Sequence, residues 1–243
     1  MIRSLIWKEW MEQRWWLLLG CFIMVGFTAI GLQARVIEDS MIMLMAGFTG
    51  AVVLPIVIAM GLVAPEREAG TVSTLLRLPA RPTVVYAVKT AMGALVVSLP
   101  LVAAMAVAWL MAGGREVPGQ YVISGFLERV PMAVVVLVWT TTLGIRLSTE
   151  ARVGVVGVAF LLVCMVLAVA LLRVVMPMSD GRVLMFEATH WVHDFVPVHV
   201  IRSPSPGVIN IGLYGWSPLQ LVIAAAAWGV GAWLFGKPGR TRG

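Results

Sequence analysis

The stretch TAMGALVVSLPLVAAMAVAWLM, Thr90–Met111, carries no charged residue and has one proline, Pro100, near its middle. A helix rises ~1.5 Å per residue, so ~20 residues cross the ~30 Å hydrocarbon core of a bilayer. This run is long enough. Five more resemble it, at about Trp15–Gln33, Met41–Ala64, Val130–Leu147, Val153–Leu172 and Trp216–Phe235. The sequence therefore predicts an all-α integral membrane protein, with six transmembrane helices in one domain over residues 1–243.

Composition agrees. The chain is 60% hydrophobic and 12% charged, where a soluble domain averages ~45–50% and ~25%. A mean hydropathy of +0.94 is too apolar for a water-facing surface. The net charge of +6 would point to nucleic acid in a soluble protein. Here the placement of the basic residues explains it, and no nucleic acid partner is expected. With the N-terminus inside, twelve of the 18 Lys and Arg fall in inside segments: Arg3, Lys8, Arg14, Arg67, Arg77, Arg81, Lys89, Arg146, Arg152, Lys237, Arg240 and Arg242. Arg35, Arg115, Arg129, Arg173, Arg182 and Arg202 fall outside. This bias puts both termini in the cytoplasm and the chain in the cytoplasmic (inner) membrane. Cys21 and Cys164 lie in separate apolar runs and read as buried free thiols.

The first residues do not read as a signal peptide, because Glu9 and Glu12 interrupt the basic region and no small-x-small cleavage site follows. On a helical wheel Ile2, Ile6, Trp7, Trp10 and Met11 share one half, and Ser4, Lys8, Glu9 and Glu12 the other. Leu5 breaks the pattern. Residues 1–14 are thus expected to form an imperfect amphipathic helix on the inner membrane surface that turns into the first span. The alternative is a frayed basic tail. Trp15, Trp16, Trp216 and Trp233 flank the first and last spans, and Trp109 and Trp139 lie near the ends of theirs, as interfacial aromatics do.

Charge and turn residues return in PEREAGTVSTLLRLPARP, Pro65–Pro82. Pro65 suits a first helical position, Gly70 can end that turn, and Thr71 can cap a second short helix over Val72–Leu78. Pro79 and Pro82 stop it, and Thr83 can cap the next span. Residues 65–89 are therefore expected to form a shaped cytoplasmic element. Its function is either protein docking or an ordinary interfacial loop.

The pattern Glu66-Arg67-Glu68-Ala69-Gly70-Thr71, Leu75-Leu76, Leu78-Pro79, Arg81 and Lys89 resembles the first cytoplasmic loop of ABC-2 type transporter permeases. The opening Leu5-Ile6-Trp7-Lys8-Glu9-Trp10 is similar to the start of such chains. The motif match covers about residues 1–20 and 64–90, while the likeness in topology covers most of the chain. The resemblance implies a membrane subunit of an ATP-driven exporter that works with a separate ABC ATPase and a second permease copy. Glu66, Arg67, Glu68, Gly70, Thr71, Leu75, Arg77 and Arg81 would contact the ATPase, residues 1–14 being the surface helix. The chain carries no G-x-x-x-x-G-K-[ST] phosphate loop, so it is expected to be no enzyme and to need its partner for hydrolysis. The alternative function is a membrane anchor that assembles partners without transport. An ion-coupled carrier is disfavoured by span interiors without a titratable group.

His190, His193 and His199, with Asp194, fall in the long outer loop 173–215. Imidazoles and a carboxylate can hold zinc or copper, but Pro197 interrupts any continuous helical face. The favoured reading is a short amphipathic helix using Trp191, Phe195 and Val198, with no metal and no cofactor. Thr140, Thr141 and Thr142 put hydroxyls in an otherwise aliphatic span but do not name a cargo.

Overall fold

The structure, a computed structural model, describes residues 2–34, 39–68, 81–112, 126, 129–147, 149–175, 199–202, 209–212 and 218–237. Its elements are α1 (Ile2–Ala34), α2 (Asp39–Phe48), a π-helical turn (Thr49–Val53), α3 (Leu54–Glu68), α4 (Pro82–Ala112), α5 (Arg129–Gly144), α6 (Glu150–Val175), β1 (His199–Arg202), β2 (Ile209–Gly212) and α7 (Pro218–Phe235). Among the described residues, three helical stretches, Ile2–Ala34, Met45–Glu66 and Pro82–Met111, are long and apolar enough to cross a membrane. Arg129–Gly144 and Gln220–Phe235 are shorter apolar helices.

Each predicted span falls on a helix, but several boundaries move. α1 runs without a break through Arg14 and Trp15. No separate surface helix precedes the span, because no Gly or Pro near Arg14 interrupts the ladder. Pro65 lies inside α3 and does not open a new helix. An interior proline removes a backbone donor and costs ~3 kcal/mol, and the ion pairs of Glu66 described below hold that last turn. Pro82 opens α4 where a stop was expected, and the Arg81 carbonyl accepts hydrogen bonds from the Val84 and Val85 N–H groups at 2.8 and 3.3 Å. Proline suits that first position, where its missing N–H is not needed. Pro55 is the second residue after the π turn, which widens the backbone just ahead of a residue that cannot donate.

The helices alternate in direction. Glu9 meets Lys89, and a Cβ built on Gly20 would lie 3.1 Å from Pro100, so α1 and α4 run parallel with one offset along their length. Glu66, at the C-terminal end of α3, reaches the same lysine near the start of α4, so α3 runs the other way. Thr142 near the end of α5 meets Tyr86 of α4, and Gly144 packs on Val153 of α6. Gly231 and Gly236 of α7 pack on Tyr86 and Pro82. The start of α1, the end of α3, the start of α4, the end of α5, the start of α6 and the end of α7 thus gather at one end of the bundle.

The core lies where α1, α3, α4 and α5 meet, around Met24, Leu62, Val96, Leu101 and Leu137. Tyr86 is fully buried between Trp228 and Phe235, with ring centroids 5.9 and 5.7 Å away. Trp139 stacks on Phe160, with ring centroids 5.3 Å apart, and so helps join α5 to α6. Cys21 is a free thiol and only partly buried, more open than predicted. The side chain of Cys164 is outside the described residues.

Candidate functional site

α1 buries one stripe along its whole length: Leu5, Glu9, Gln13, Leu17, Gly20, Met24, Thr28 and Leu32. Steps of three and four residues keep these on a single face. The stripe inverts the predicted wheel. Glu9 was expected on the outward polar half, yet it is fully buried, while Ile2, Ile6, Trp7 and Met11 are exposed. Leu5, the misfit of the wheel, belongs to the inward stripe. Glu9 turns inward because its countercharge is there.

That countercharge is Lys89, seven residues into α4 and almost wholly buried. Its Nζ donates to Glu9 Oε1 at 2.8 Å and lies 2.9 Å from Glu66 Oε1. Lys8 Nζ donates to the same Glu66 oxygen at 2.8 Å and approaches Glu12 at 3.1 Å and Glu9 at 3.6 Å. Glu66 Oε1 therefore sits between two ammonium groups. One network ties the N-terminal turns of α1, the last turn of α3 and the first turns of α4. Burial alone would lower the Lys8 pKa. The hydrogen bond and charge of Glu66, with Glu9 and Glu12, outweigh it and hold the ammonium above the ordinary lysine range. Lys8 stays charged at neutral pH.

Such a network is a poor source of raw stability, since desolvation offsets most of the attraction, but deleting one partner strands a buried charge. Glu9 Oε2 and, one turn further on, Gln13 Oε1 are buried and have no hydrogen-bond partner among the described residues. The carboxylates of Glu9, Glu12 and Glu66 lie within 4.8 Å of one another, near enough to share a cation. The Lys8 and Lys89 ammonium groups already supply that positive charge.

The predicted contact residues divide. Glu66 points inward into the network and is mostly buried. Glu68 and Arg81 are exposed at the two edges of the loop. Arg67 lies in the last turn of α3, its side chain outside the described residues, as are Gly70, Thr71, Leu75 and Arg77. Glu9 was missed as an inward-facing group, and half-exposed Lys8 as a member of its network. The available signal was Lys89 itself, a charge inside a helical run that continues apolar to Met111, which demands a buried partner.

Elsewhere the predicted polar groups are engaged in packing. Thr141 donates to the Leu137 carbonyl at 2.7 Å, and Thr142 to the Ala227 carbonyl at 3.2 Å, joining α5 to α7. His199 opens β1, which pairs antiparallel with β2 in the register His199↔Gly212 to Arg202↔Ile209. It therefore lies in a strand, beyond Pro197 and the expected short helix. His190 and His193, with Asp194, Trp191, Phe195 and Val198, are outside the described residues.

Comparison with known proteins returns no match: no family model fits the chain, and neither a curated protein nor a solved structure is significantly similar to it.

Proposed function

We propose that this chain is the membrane-spanning subunit of an ATP-driven exporter of ABC-2 type, working in the cytoplasmic membrane with a separate ATPase and a second copy of itself. The observation that carries the reading is the network of Lys8, Glu9, Glu66 and Lys89. It lies at the base of loop 69–81, where the resemblance puts the ATPase contact. A loop that merely connects two spans does not need its base bolted by buried charges. A loop that is pushed does, because α3 and α4 then move as one body and carry α1 with them. The alternating helix directions support six spans with both termini on one side. In this reading Glu66 and Lys89 brace the loop, Glu68, Arg77 and Arg81 face the partner, and residues 2–14 are a built-in extension of the first span that takes the place of a separate surface helix.

The test is purification of the tagged chain from its native membrane in mild detergent. An ATP-hydrolysing subunit should come with it in equal numbers, and Arg77→Glu should release that subunit while leaving the melting temperature unchanged. A purified complex with no nucleotide-hydrolysing subunit would overturn the proposal and favour an anchoring role.

A further inference from the structure

The N-terminal turns of α1 leave a groove of 710 Å³ against α4, with Arg3 and Ser4 at one end, Leu95 at the other, and Ile6, Trp7, Trp10 and Met92 between them. Apart from its Arg3 end, the lining is almost wholly apolar. We infer that this groove binds an anionic phospholipid, its phosphate at Arg3 and an acyl chain along Trp7, Trp10, Met92 and Leu95.

Three observations select this occupant. The first is charge. Lys8 beside the groove is held by Glu66 and Glu12, and Arg14 lies over the Trp15 ring, 5.3 Å from its centroid. Arg3 is exposed and has no carboxylate partner among the described residues. The positive end of the α1 dipole adds to the attraction for a phosphate.

The second is continuity. Trp7 lies on an exposed stripe that runs on through Met11, Trp15, Leu18 and Phe22. Leu95 begins a second exposed stripe through Leu99 and Val102 of α4. Both lead from the groove along the faces that the uncharged spans would turn to lipid. A chain lying in the groove passes into the hydrocarbon without crossing a polar barrier, whereas a soluble protein segment would have to enter the bilayer to follow it.

The third is depth. The register of Glu9 on Lys89 and Gly20 on Pro100 puts Leu95 level with position 15 of α1. The groove is thus ~18 Å long at ~1.5 Å per residue, and its Leu95 end lies level with Trp15, the first residue of the predicted first span, so it opens at the edge of the hydrocarbon. Two tryptophans in its wall suit the boundary between headgroups and chains.

The inference rests on membrane residence and not on the exporter reading, so its failure would leave that reading standing. The experiment is native mass spectrometry of delipidated protein titrated with phosphatidylglycerol or phosphatidylcholine carrying identical chains. Wild type should bind phosphatidylglycerol about fivefold more tightly, the equivalent of ~1 kcal/mol for one basic contact near a membrane surface. Arg3→Gln should abolish that preference and Arg3→Lys restore most of it. Leu95→Trp should weaken both lipids by filling the groove. Equal binding of the two lipids by wild type, or an undiminished preference in Arg3→Gln, would overturn the inference. Loss of a co-purifying protein from Leu95→Trp with lipid binding unchanged would also overturn it and assign the groove to that protein.

Discussion

Lys89 concentrates the energetic risk of this fold in one side chain. Its ammonium is buried between Glu9 and Glu66, so replacing it by methionine leaves Glu9 with no cation closer than Lys8, 3.6 Å away. Removing one member of a buried ion pair costs ~3–5 kcal/mol. Lys89→Met should therefore lower the denaturation midpoint in detergent strongly. Glu9→Gln should lower it less, because Lys89 keeps Glu66. The double change Glu9→Leu with Lys89→Leu should recover part of the loss, since an apolar pair of similar volume replaces a desolvated one. A Lys89→Met protein as stable as wild type would show that water reaches the site. At this scale the sequence was only half legible. Lys89 stands out in any reading, but Glu9 looks like a surface residue because the wheel ranks faces by polarity. The partner that reverses that ranking is eighty positions away in the chain and becomes a neighbour only through the parallel packing of α1 and α4.

The helices themselves were legible because uncharged runs of membrane length have few alternatives. Their ends were not, because proline has two meanings. Pro82 begins α4 and Pro65 sits inside α3, and which occurs depends on tertiary ties such as those of Glu66. Close packing between helices was also hidden, since it depends on which glycine faces a neighbour. α7 offers a controlled comparison. A Cβ on Gly231 would lie 2.5 Å from the Tyr86 hydroxyl and 2.9 Å from Thr142 Oγ1, whereas one on Gly229 meets nothing within 4 Å. Overpacking a filled interior costs ~1–3 kcal/mol, while glycine in a helix is ~0.5–1 kcal/mol worse than alanine. Gly231→Ala should lower the melting temperature, and Gly229→Ala should leave it unchanged or raise it slightly. Equal effects at both sites would mean that α7 does not seat on Tyr86 as the structure has it.

At the scale of the molecule, the six predicted spans and the alternating helix directions come from different sources. The first follows from hydropathy, the second from contacts such as Glu9–Lys89, Gly144–Val153 and Gly231–Tyr86. The second brings Arg81, Arg146 and Lys237 to one end of the bundle, all exposed, where six spans with both termini inside would also put them. A basic end belongs on the cytoplasmic side of a bilayer. The consequence can be measured with single cysteines in a background lacking Cys21 and Cys164. Arg81→Cys, Arg146→Cys and Lys237→Cys should each react with a membrane-impermeant maleimide in inside-out vesicles and stay unreacted in right-side-out vesicles. Arg81 and Lys237 follow the second and sixth predicted spans and Arg146 lies at the very end of the fourth, so one error in the span count would put at least one of them on the opposite face. Labelling of Arg146→Cys from the outside, with Arg81→Cys labelled from the inside, would remove a span between them. The membrane topology would then contradict the helix directions seen here. Uniform labelling from the inside would instead put loop 69–81, the buried network at its base and both ends of the chain on the side where ATP is available.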